Sequence, residues 1–496
     1  MASSQNFKLE QEPDTFTIRS ILPQLLALVL GAFMVLLDST VINVAIPKLV
    51  DYFDTNLKMV QWTVTGYTLA LSAVIPMAGW LSDRFGFKRI FATTITLFTI
   101  GSALCALAQT TEQLILFRVI QGLGGGMVMP LVMSMGFKLA PANKRGAVMG
   151  MIGIPLLMGP SLGPVVSGWL VEYVSWHWIF LINLPIGILS IYFALRFLPV
   201  SERGKPPHFD YLGIILAPVA FSMLVYGVSE GGTSWTSTGA LVGLGVGGTA
   251  LILFIIVELM QKQPLLELRA FRSSDFTRGI LLNWIFFVVN YGAIIMLPLY
   301  LQSVKGLSPL HTGLLQMPMA LITGIAMPIA GKLFDKIGAR PLAIAGMAFY
   351  AAGLFILSGI HSDSSLGLLY APLILMGLGA GFTLMPLNTH VLNSAPPHLM
   401  NRVTPLASSA QQIVISFAVT SLVGYMTSQT TDHMLKLGQA GHANLLTAMA
   451  DAFGDTFFLI AWFAVTGVML SLILRKPKKS HGTGERASES PTVIGH

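Results

Sequence analysis

Charged residues are scarce in this chain, and their scarcity decides the class of protein. Asp, Glu, Lys and Arg make up 10% of the 496 residues, whereas hydrophobic residues make up 54%. Soluble globular domains carry about 25% charged residues, so the composition excludes a soluble fold. The sequence predicts an integral protein of the cell membrane, which is the inner membrane in a bacterium that has two.

Motifs that enzymes and ATP-driven pumps need are also missing. Cys105 is the single cysteine, so one chain cannot form a disulfide or a thiolate metal site. The sequence has no GxxxxGK[ST] phosphate loop, no HExxH pair and no nucleophile with an evident partner base. We therefore predict a protein that is not an enzyme and that uses no metal and no cofactor.

Long apolar runs are abundant instead. Each is about 20 residues long, enough to cross a bilayer core of about 30 Å as a helix, and their continuous apolarity excludes the alternating strands of a β-barrel. The fourteen predicted spans are 21–46, 59–80, 88–108, 112–136, 145–170, 177–198, 210–229, 238–259, 277–301, 312–332, 341–360, 366–391, 404–426 and 454–474. The predicted fold is an all-α membrane protein with 14 transmembrane helices.

The distribution of basic residues predicts the orientation. With the N-terminus inside, 24 of the 29 Lys and Arg residues fall in inner loops and tails, four fall outside, and Arg118 lies within a span. Because inner loops of membrane proteins are enriched in Lys and Arg, both termini are predicted to be cytoplasmic. The net charge of +7 thus reflects topology and anionic lipid, and nucleic acid is not a predicted partner.

An internal repeat divides the chain into two halves. GWLSDRFGFKR at 79–89 is echoed by GKLFDKIGARP at 331–341, a parallel repeat of the kind found in secondary transporters. The spacing leaves room for two extra helices between two bundles of six. The predicted organisation is a cytoplasmic N-terminal tail, a six-helix bundle, a two-helix insertion with flanking loops, a second six-helix bundle and a basic disordered C-terminal tail. These segments are predicted at 1–20, 21–200, 201–275, 276–475 and 476–496.

Several motifs in order resemble the major facilitator superfamily, in its fourteen-helix drug:proton antiporter branch of EmrB/QacA type. They are LDSTVINVAIP, the 79–89 loop, FRVIQGLGGG, GPSLGP, WHWIFLINLPIG, FDYLG and LPLYLQ. The resemblance covers essentially the whole chain, and FDKIGARPLAI and SSAQQI look closest to lincomycin-resistance exporters. It implies multidrug efflux and antibiotic resistance by alternating access, with the extra helix pair at the periphery.

Asp38 is the acid placed deepest in a predicted span. A carboxylate there costs several kcal/mol unless it is paired, faces a cavity or binds a proton. At 1.5 Å of helix rise per residue, Asp38 and Arg118 lie at similar depth, about 12 and 9 Å below the outer boundary. Gln121 shares a helix face with Arg118. We predict that these three residues couple transport to protons; a static structural ion pair is the alternative.

The repeated loops suit an inner gate, and the fifth span suits a hinge. The gating residues are predicted to be Gly79, Asp83, Arg84, Gly86, Lys88 and Arg89, with a second copy at Gly331, Asp335, Gly338 and Arg340. Asp83 is expected to cap a helix or to pair with a nearby base; the alternative is charge that only sets topology. The resemblance implies that Gly159, Pro160, Gly163 and Pro164 mark exporters, although simple helix packing would also explain them.

Polar and aromatic residues inside apolar spans are candidates for a substrate cavity. They are Asn43, Trp62, Tyr67, Asn283, Asn290, Tyr291, Gln316, Met385, Asn388, Gln411 and Gln412. The tenth span lacks the second deep acid that the resemblance implies for exporters of dicationic dyes, so neutral or singly charged amphipaths are expected. The predicted function is proton-coupled drug export by a monomer. Open alternatives are a dedicated exporter of one metabolite, lipid or siderophore-like compound, a membrane sensor, and dependence on a periplasmic adaptor in a two-membrane bacterium.

Overall fold

The structure, a computed structural model, describes residues 18–141, 143–200, 210–232, 234–261, 263–396, 399–439 and 444–474. Most of the predicted N-terminal tail and all of the predicted C-terminal tail lie outside these residues. Within them the chain is helical and has no β-strand. Below, "inner" denotes the side that the sequence predicts to be cytoplasmic.

Seventeen α-helices follow one another through the described residues. They are α1 (Leu22–Tyr52), α2 (Leu57–Val74), α3 (Ala78–Phe85), α4 (Phe87–Ala106), α5 (Thr111–Gly125), α6 (Val128–Leu139), α7 (Arg145–Tyr173), α8 (Trp178–Leu181), α9 (Asn183–Phe197), α10 (Tyr211–Gly231), α11 (Thr238–Met260), α12 (Ser274–Ser303), α13 (Pro309–Ile337), α14 (Ala339–Ser358), α15 (Tyr370–Asn393), α16 (Met400–Gln439) and α17 (Leu445–Ser471).

Thirteen stretches of 20 to 38 residues within the described ranges are long and apolar enough to cross a membrane. Three of them contain two helices each: α2 with α3, α5 with α6, and α8 with α9. Helix α7 is not among the thirteen, but it is 29 residues long and lies where the fifth span is predicted. The membrane-helix architecture agrees with the sequence, while the count of 14 and the position of the termini remain predictions.

Local sequence signals explain where many of these helices begin and end. Side chains of Asn56, Thr110, Asp210, Ser237, Ser273 and Ser308 accept hydrogen bonds from backbone N–H groups in the first turns of α2, α5, α10, α11, α12 and α13. Gly86 ends α3 with φ of 89°, and Gly338 ends α13 with φ of 80°. Residues with a side chain rarely adopt a positive φ, so glycine is required at the same position in both repeats.

The two predicted halves meet along two seams. Helix α7 of the first half packs against α13 of the second half along its length. On the opposite side α10 packs against both α2 and α16, and α11 packs outside α10. The resemblance implied that both inserted helices lie at the periphery. Only α11 does so, because α10 lies in the second seam, between α2 and α16.

The longest helix, α16, is 40 residues long and continues to Gln439, well beyond the predicted end at residue 426. Helix α17 begins at Leu445, and a hydrogen bond of 2.8 Å joins His433 Nε2 to Asp455 Oδ2 between the two helices. The polar part of the predicted outer loop thus continues α16, and its amphipathic part begins α17.

Candidate functional site

A buried polar cluster surrounds Asp38 on α1. Its Oδ2 lies 2.5 Å from Arg118 Nη1 on α5, and its Oδ1 accepts hydrogen bonds of 2.8 Å from Gln121 and from Asn183. Ser102 Oγ accepts from both amides, at 2.5 and 3.1 Å. All five side chains are buried with 0% exposure. The structure thus brings Asp38, Arg118 and Gln121 together, and it adds two residues that were not predicted.

The register of four helices creates this cluster. Arg118 and Gln121 are one turn apart on α5, so both face α1, and Arg118 Nη1 also donates to Gln121 Oε1 at 2.7 Å. Asn183 is the first residue of α9, and Ser102 lies on α4. Inside an apolar bundle, such a network compensates the charge of Asp38 with one cation and several donors.

Tyr67 separates the cluster from the centre of the molecule. The Arg118 guanidinium carbon lies 4.0 Å from the centre of the Tyr67 ring, a cation–π contact. The same tyrosine lines a central cavity of about 550 Å³. Arg118 Nη2 and Tyr67 Oη have no hydrogen-bond partner among the described residues. The Tyr67 ring therefore lies between the cavity and Arg118 and contacts both.

Most of the predicted substrate-binding residues reach this cavity. Those that line it are Tyr67, Asn290, Tyr291, Asn388, Gln411 and Gln412. The described lining includes no Asp, Glu, Lys or Arg, but it has methionines and small hydroxyl residues such as Ser39 and Thr40. Apolar walls with a few polar groups are typical of sites for small molecules.

The remaining candidates lie elsewhere. Trp62 is not among the cavity-lining residues and stacks on Tyr226 of α10, with ring centres 6.2 Å apart. Gln316 donates to a carbonyl of its own helix at 3.3 Å, and Met385 is fully buried against α7. Asn283 donates to Asn388 at 3.2 Å behind the lining. The side chain of Asn43 lies outside the described residues.

The first gating loop joins the two halves at their inner ends. Asp83 on α3 accepts a hydrogen bond from the side-chain amide of Asn401, in the first turn of α16. Asn401 Oδ1 in turn accepts from Ser134 Oγ and Lys138 Nζ, each at 2.7 Å. Of the two expectations for Asp83, a helix cap or a pairing with a nearby base, the second is not met in this state, because no ion pair joins Asp83 to Arg84, Lys88 or Arg89 in the described chain. The partner comes from the other half instead.

The other residues of this loop shape the contact. Gly79 faces the backbone of Asn401 so closely that a Cβ would overlap the carbonyl. Arg84 lies over Trp80, with 5.4 Å between its guanidinium carbon and the ring centre. Lys88 and Arg89 lie in the first turn of α4, as Arg340 does in α14.

The second loop makes the mirror contact. Asp335 on α13 accepts hydrogen bonds from the backbone N–H groups of Gly146 and Ala147, at 2.8 and 3.1 Å. These two residues lie in the first turn of α7, so Asp335 caps a helix of the opposite half. Gly331 packs directly on the Gly146 backbone. Nearby, Arg145 Nη1 donates to Asn393 Oδ1 at 2.9 Å. The inner ends of the two halves are therefore closed against each other.

The predicted hinge lies in the middle of α7. Gly159 and Gly163 pack against α1, at Leu36 and Thr40. The side chains of Pro160 and Pro164 lie outside the described residues. Gly150 packs against α13, where a Cβ would lie 2.8 Å from the Met327 carbonyl oxygen. Small residues on two faces thus let α7 contact both halves closely.

Comparison with known proteins identifies this arrangement. Residues 28–419 match the family model described as Major Facilitator Superfamily. The chain belongs to this superfamily. Over 92% of the chain and 97% of the relative it is 32% identical to "Lincomycin resistance protein LmrB" of Listeria monocytogenes. It is 35% identical to "Multidrug resistance protein B homolog" of Mycobacterium tuberculosis, over 82% of the chain and 76% of the relative.

Solved structures agree with the superfamily fold. The proton:xylose symporter XylE matches 93% of this chain and 98% of its own, with a TM-score of 0.63 and 17% identity. The human organic anion transporter MFSD10 matches with a TM-score of 0.62 and 13% identity, over 92% of this chain and 100% of its own. This major facilitator protein is a multi-pass membrane transporter with multidrug-resistance relatives, and it is not an enzyme.

Proposed function

We propose that this major facilitator protein exports small amphipathic compounds from the cytoplasm in exchange for protons, as a monomer in the cell membrane. The observation that carries the proposal is the buried Asp38–Arg118 pair, which lies next to the central cavity behind Tyr67. The names of relatives support drug export in particular, since two of them are resistance proteins.

The hydrogen bonds at Asp38 assign a protonation state to the observed conformation. Both carboxylate oxygens accept bonds, one from Arg118 and the other from Gln121 and Asn183. A protonated carboxyl would need an acceptor for its own hydrogen, whereas every group bonded to Asp38 here is a donor. We therefore assign this state to the ionised carboxylate.

Protonation of Asp38 would then drive a conformational change. Removing one partner of a buried ion pair costs about 3–5 kcal/mol, because the other charge is left uncompensated. Protonation of Asp38 would leave the buried charge of Arg118 uncompensated. A conformation that offers Arg118 water or new acceptors would then become favoured. A proton gradient could therefore shift the equilibrium between the two states of the transporter.

The closed inner ends support alternating access. Asp83 and Asp335 each bind the first turn of a helix in the opposite half, so these contacts must break when the inner side opens. In this scheme the observed state is closed inside. A substrate would enter from the cytoplasm in the other state and leave after the inner contacts form again.

The cavity favours a class of substrate. Its described lining offers amides, hydroxyls, aromatic faces and methionines but no formal charge. Aromatic faces attract cations, and flexible methionines pack around varied shapes. With Asp38 as the one nearby acid, neutral or singly charged amphipaths fit better than dications.

Transport by purified protein in proteoliposomes tests the proposal. An imposed pH gradient should drive ethidium, a monocation, and lincomycin across the membrane, and it should drive a dicationic bisamidine more weakly. Asp38→Asn should abolish the gradient-driven component. Asp51→Asn is the matched control, because Asp51 is an exposed acid at the outer end of the same helix.

The outcomes separate the alternatives. Full gradient-driven transport by Asp38→Asn would refute the coupling mechanism. Transport of a single compound from a wide survey would favour a dedicated exporter, and absence of any driven flux in the wild-type protein would favour a sensor. Activity of the isolated monomer in liposomes would show that an adaptor is not needed for transport across this membrane.

A further inference from the structure

The two-helix insertion contributes a wall to the central cavity. Val225 and Ser229 of α10 line it, together with residues of both halves. They are four residues apart, so they lie one above the other on the same face of α10. Val225 is 3% exposed, whereas Ser229, which also lines the cavity, is exposed. One face of α10 is therefore a mixed apolar and hydroxyl surface turned toward the substrate space.

Contacts with both halves hold α10 in this position. Tyr226 stacks on Trp62 of α2, with ring centres 6.2 Å apart and planes at 29°. At the end of α10, a Cβ on Gly232 would touch Thr420 of α16 at 3.5 Å. Just after α10, Trp235 packs on Phe417 of α16, with ring centres 5.9 Å apart. Helix α10 thus bridges the seam between α2 and α16.

The inner part of the insertion is anchored by an apolar cluster. Phe221 of α10 and Phe254 of α11 are buried in the same cluster as Trp80 of the first gating loop and Leu406 of α16. The ring centres of Phe221 and Phe254 are 6.2 Å apart. The seam is consequently covered by α10 at the level of the cavity and also at the level of the gate.

Helix α11 has a different environment. It packs on α10, with glycine contacts such as Gly227 on Gly243, and it exposes apolar side chains such as Val242, Val246 and Leu253. Exposed apolar side chains on a membrane helix face lipid. The two helices therefore differ: within the described residues α11 lines no part of the cavity, whereas α10 lies between the halves with Val225 and Ser229 on the cavity, although α10 also exposes apolar side chains such as Ile215.

We propose that α10 is part of the substrate-binding site, that Val225 and Ser229 contact the transported compound, and that α10 closes the cavity to lipid along the α2–α16 seam. This deepens the proposed function and rests on it. Helix α10 then limits how large a substrate can be, and Ser229 supplies a hydroxyl to amphipaths with a polar group.

Cysteine labelling of the full-length protein in proteoliposomes tests the position of Ser229. The wild-type protein is the blank, because its single cysteine, Cys105, is fully buried. Ser229→Cys should react with a water-soluble methanethiosulfonate, and saturating ethidium should slow the reaction at least threefold. Reaction at the same rate with and without ethidium, in a protein that transports ethidium, would overturn the proposal.

A bulky substitution tests the role in specificity. Val225→Trp should lower transport of ethidium at least tenfold more than Val242→Trp, which adds the same side chain on the lipid face at similar depth. Equal effects of the two substitutions would overturn the proposal. Should Val225→Trp fail to fold, the labelling result decides alone.

The two experiments also distinguish this inference from the proposed function. Protection of Ser229→Cys by ethidium without any gradient-driven transport in the wild-type protein would leave α10 as a binding wall and refute proton-driven export. Gradient-driven transport by the wild-type protein, without protection of Ser229→Cys by ethidium, would refute the role of α10 and leave proton-driven export in place.

Discussion

Replacement of Asp335 should open the inner side of the transporter, and the structure indicates by how much. Asp335 accepts hydrogen bonds from the N–H groups of Gly146 and Ala147, which belong to the opposite half. Opening of the inner ends must break both bonds. Loss of Asp335 therefore destabilises the closed state and leaves the open state largely unchanged.

The magnitude follows from helix capping. Replacing a capping side chain by alanine costs about 0.5–2 kcal/mol, and a negative charge at a helix N-terminus adds about 0.3–1 kcal/mol. With two bonds lost, Asp335→Ala should cost about 1–2 kcal/mol, which shifts the ratio of open to closed states by about five- to thirtyfold. Asp335→Asn keeps an acceptor oxygen, so its shift should stay within about fivefold.

Distances between spin labels measure this ratio. Cysteines introduced at the exposed positions Arg196 in α9 and Lys332 in α13 report on separation of the inner ends of the two halves, while buried Cys105 stays unlabelled. Asp432→Ala, which removes an exposed acid at the outer end of α16, should leave the distribution unchanged. A distribution in Asp335→Ala that matches that of the control would refute the assignment of this contact to the closed state.

Three further substitutions test other parts of the structure. Asn183→Ala removes one amide donor from Asp38 and should lower gradient-driven transport at least fivefold in proteoliposomes. Gly150→Ala places a Cβ 2.8 Å from a carbonyl oxygen of α13, so it should lower the free energy of unfolding by about 1–3 kcal/mol in a thermal denaturation measurement. Gly248→Ala is the control and should leave this free energy unchanged, because Gly248 has open space around it. Asn401→Leu should populate the inner-open state in the spin-label measurement, because it removes the link to the first gating loop.

Hydropathy was enough to predict the membrane helices but not all of their ends. Hydropathy finds segments that are stable in lipid, and thirteen such stretches of the described chain lie where spans were predicted. It fails at the outer end of α16, where the helix continues through a polar segment to Gln439. A helix outside the bilayer is stabilised by packing against a neighbour, and no hydrophobic pattern reports that contact.

The cluster at Asp38 was predicted in part: Asp38, Arg118 and Gln121 were expected, whereas Asn183 and Ser102 were not. An acid and an arginine in apolar spans stand out because each is costly there, and helix rise places them at similar depth. Gln121 could be added because it lies one turn from Arg118 on the same helix. Asn183 and Ser102 gave no such signal, since they are uncharged and lie on other helices. Their contribution depends on how α4 and α9 are rotated about their axes, which a single sequence does not determine.

The gating loops show a different limit. Local reasoning gave Asp83 either a helix cap or a pairing with bases a few residues away, but its partner, Asn401, is on a helix of the other half. The repeat could have indicated this. Asp83 binds the first turn of α16, and Asp335 binds the first turn of α7. In both halves, an acid at the end of one helix contacts the N-terminus of a helix across the interface.

This symmetry leads to a last prediction about both contacts together. If the halves separate as rigid bodies, the two contacts break in the same step, and their free energies add because the sites share no partner. Asp83→Ala and Asp335→Ala combined should then shift the open-to-closed ratio by the product of the two single effects.

The double variant therefore distinguishes two ways of opening. A product of effects in the spin-label measurement indicates one concerted movement of both inner ends. A double variant no more open than the stronger single variant would contradict rigid-body separation, because it would mean that one contact is already broken in the closed state or that the two ends open independently.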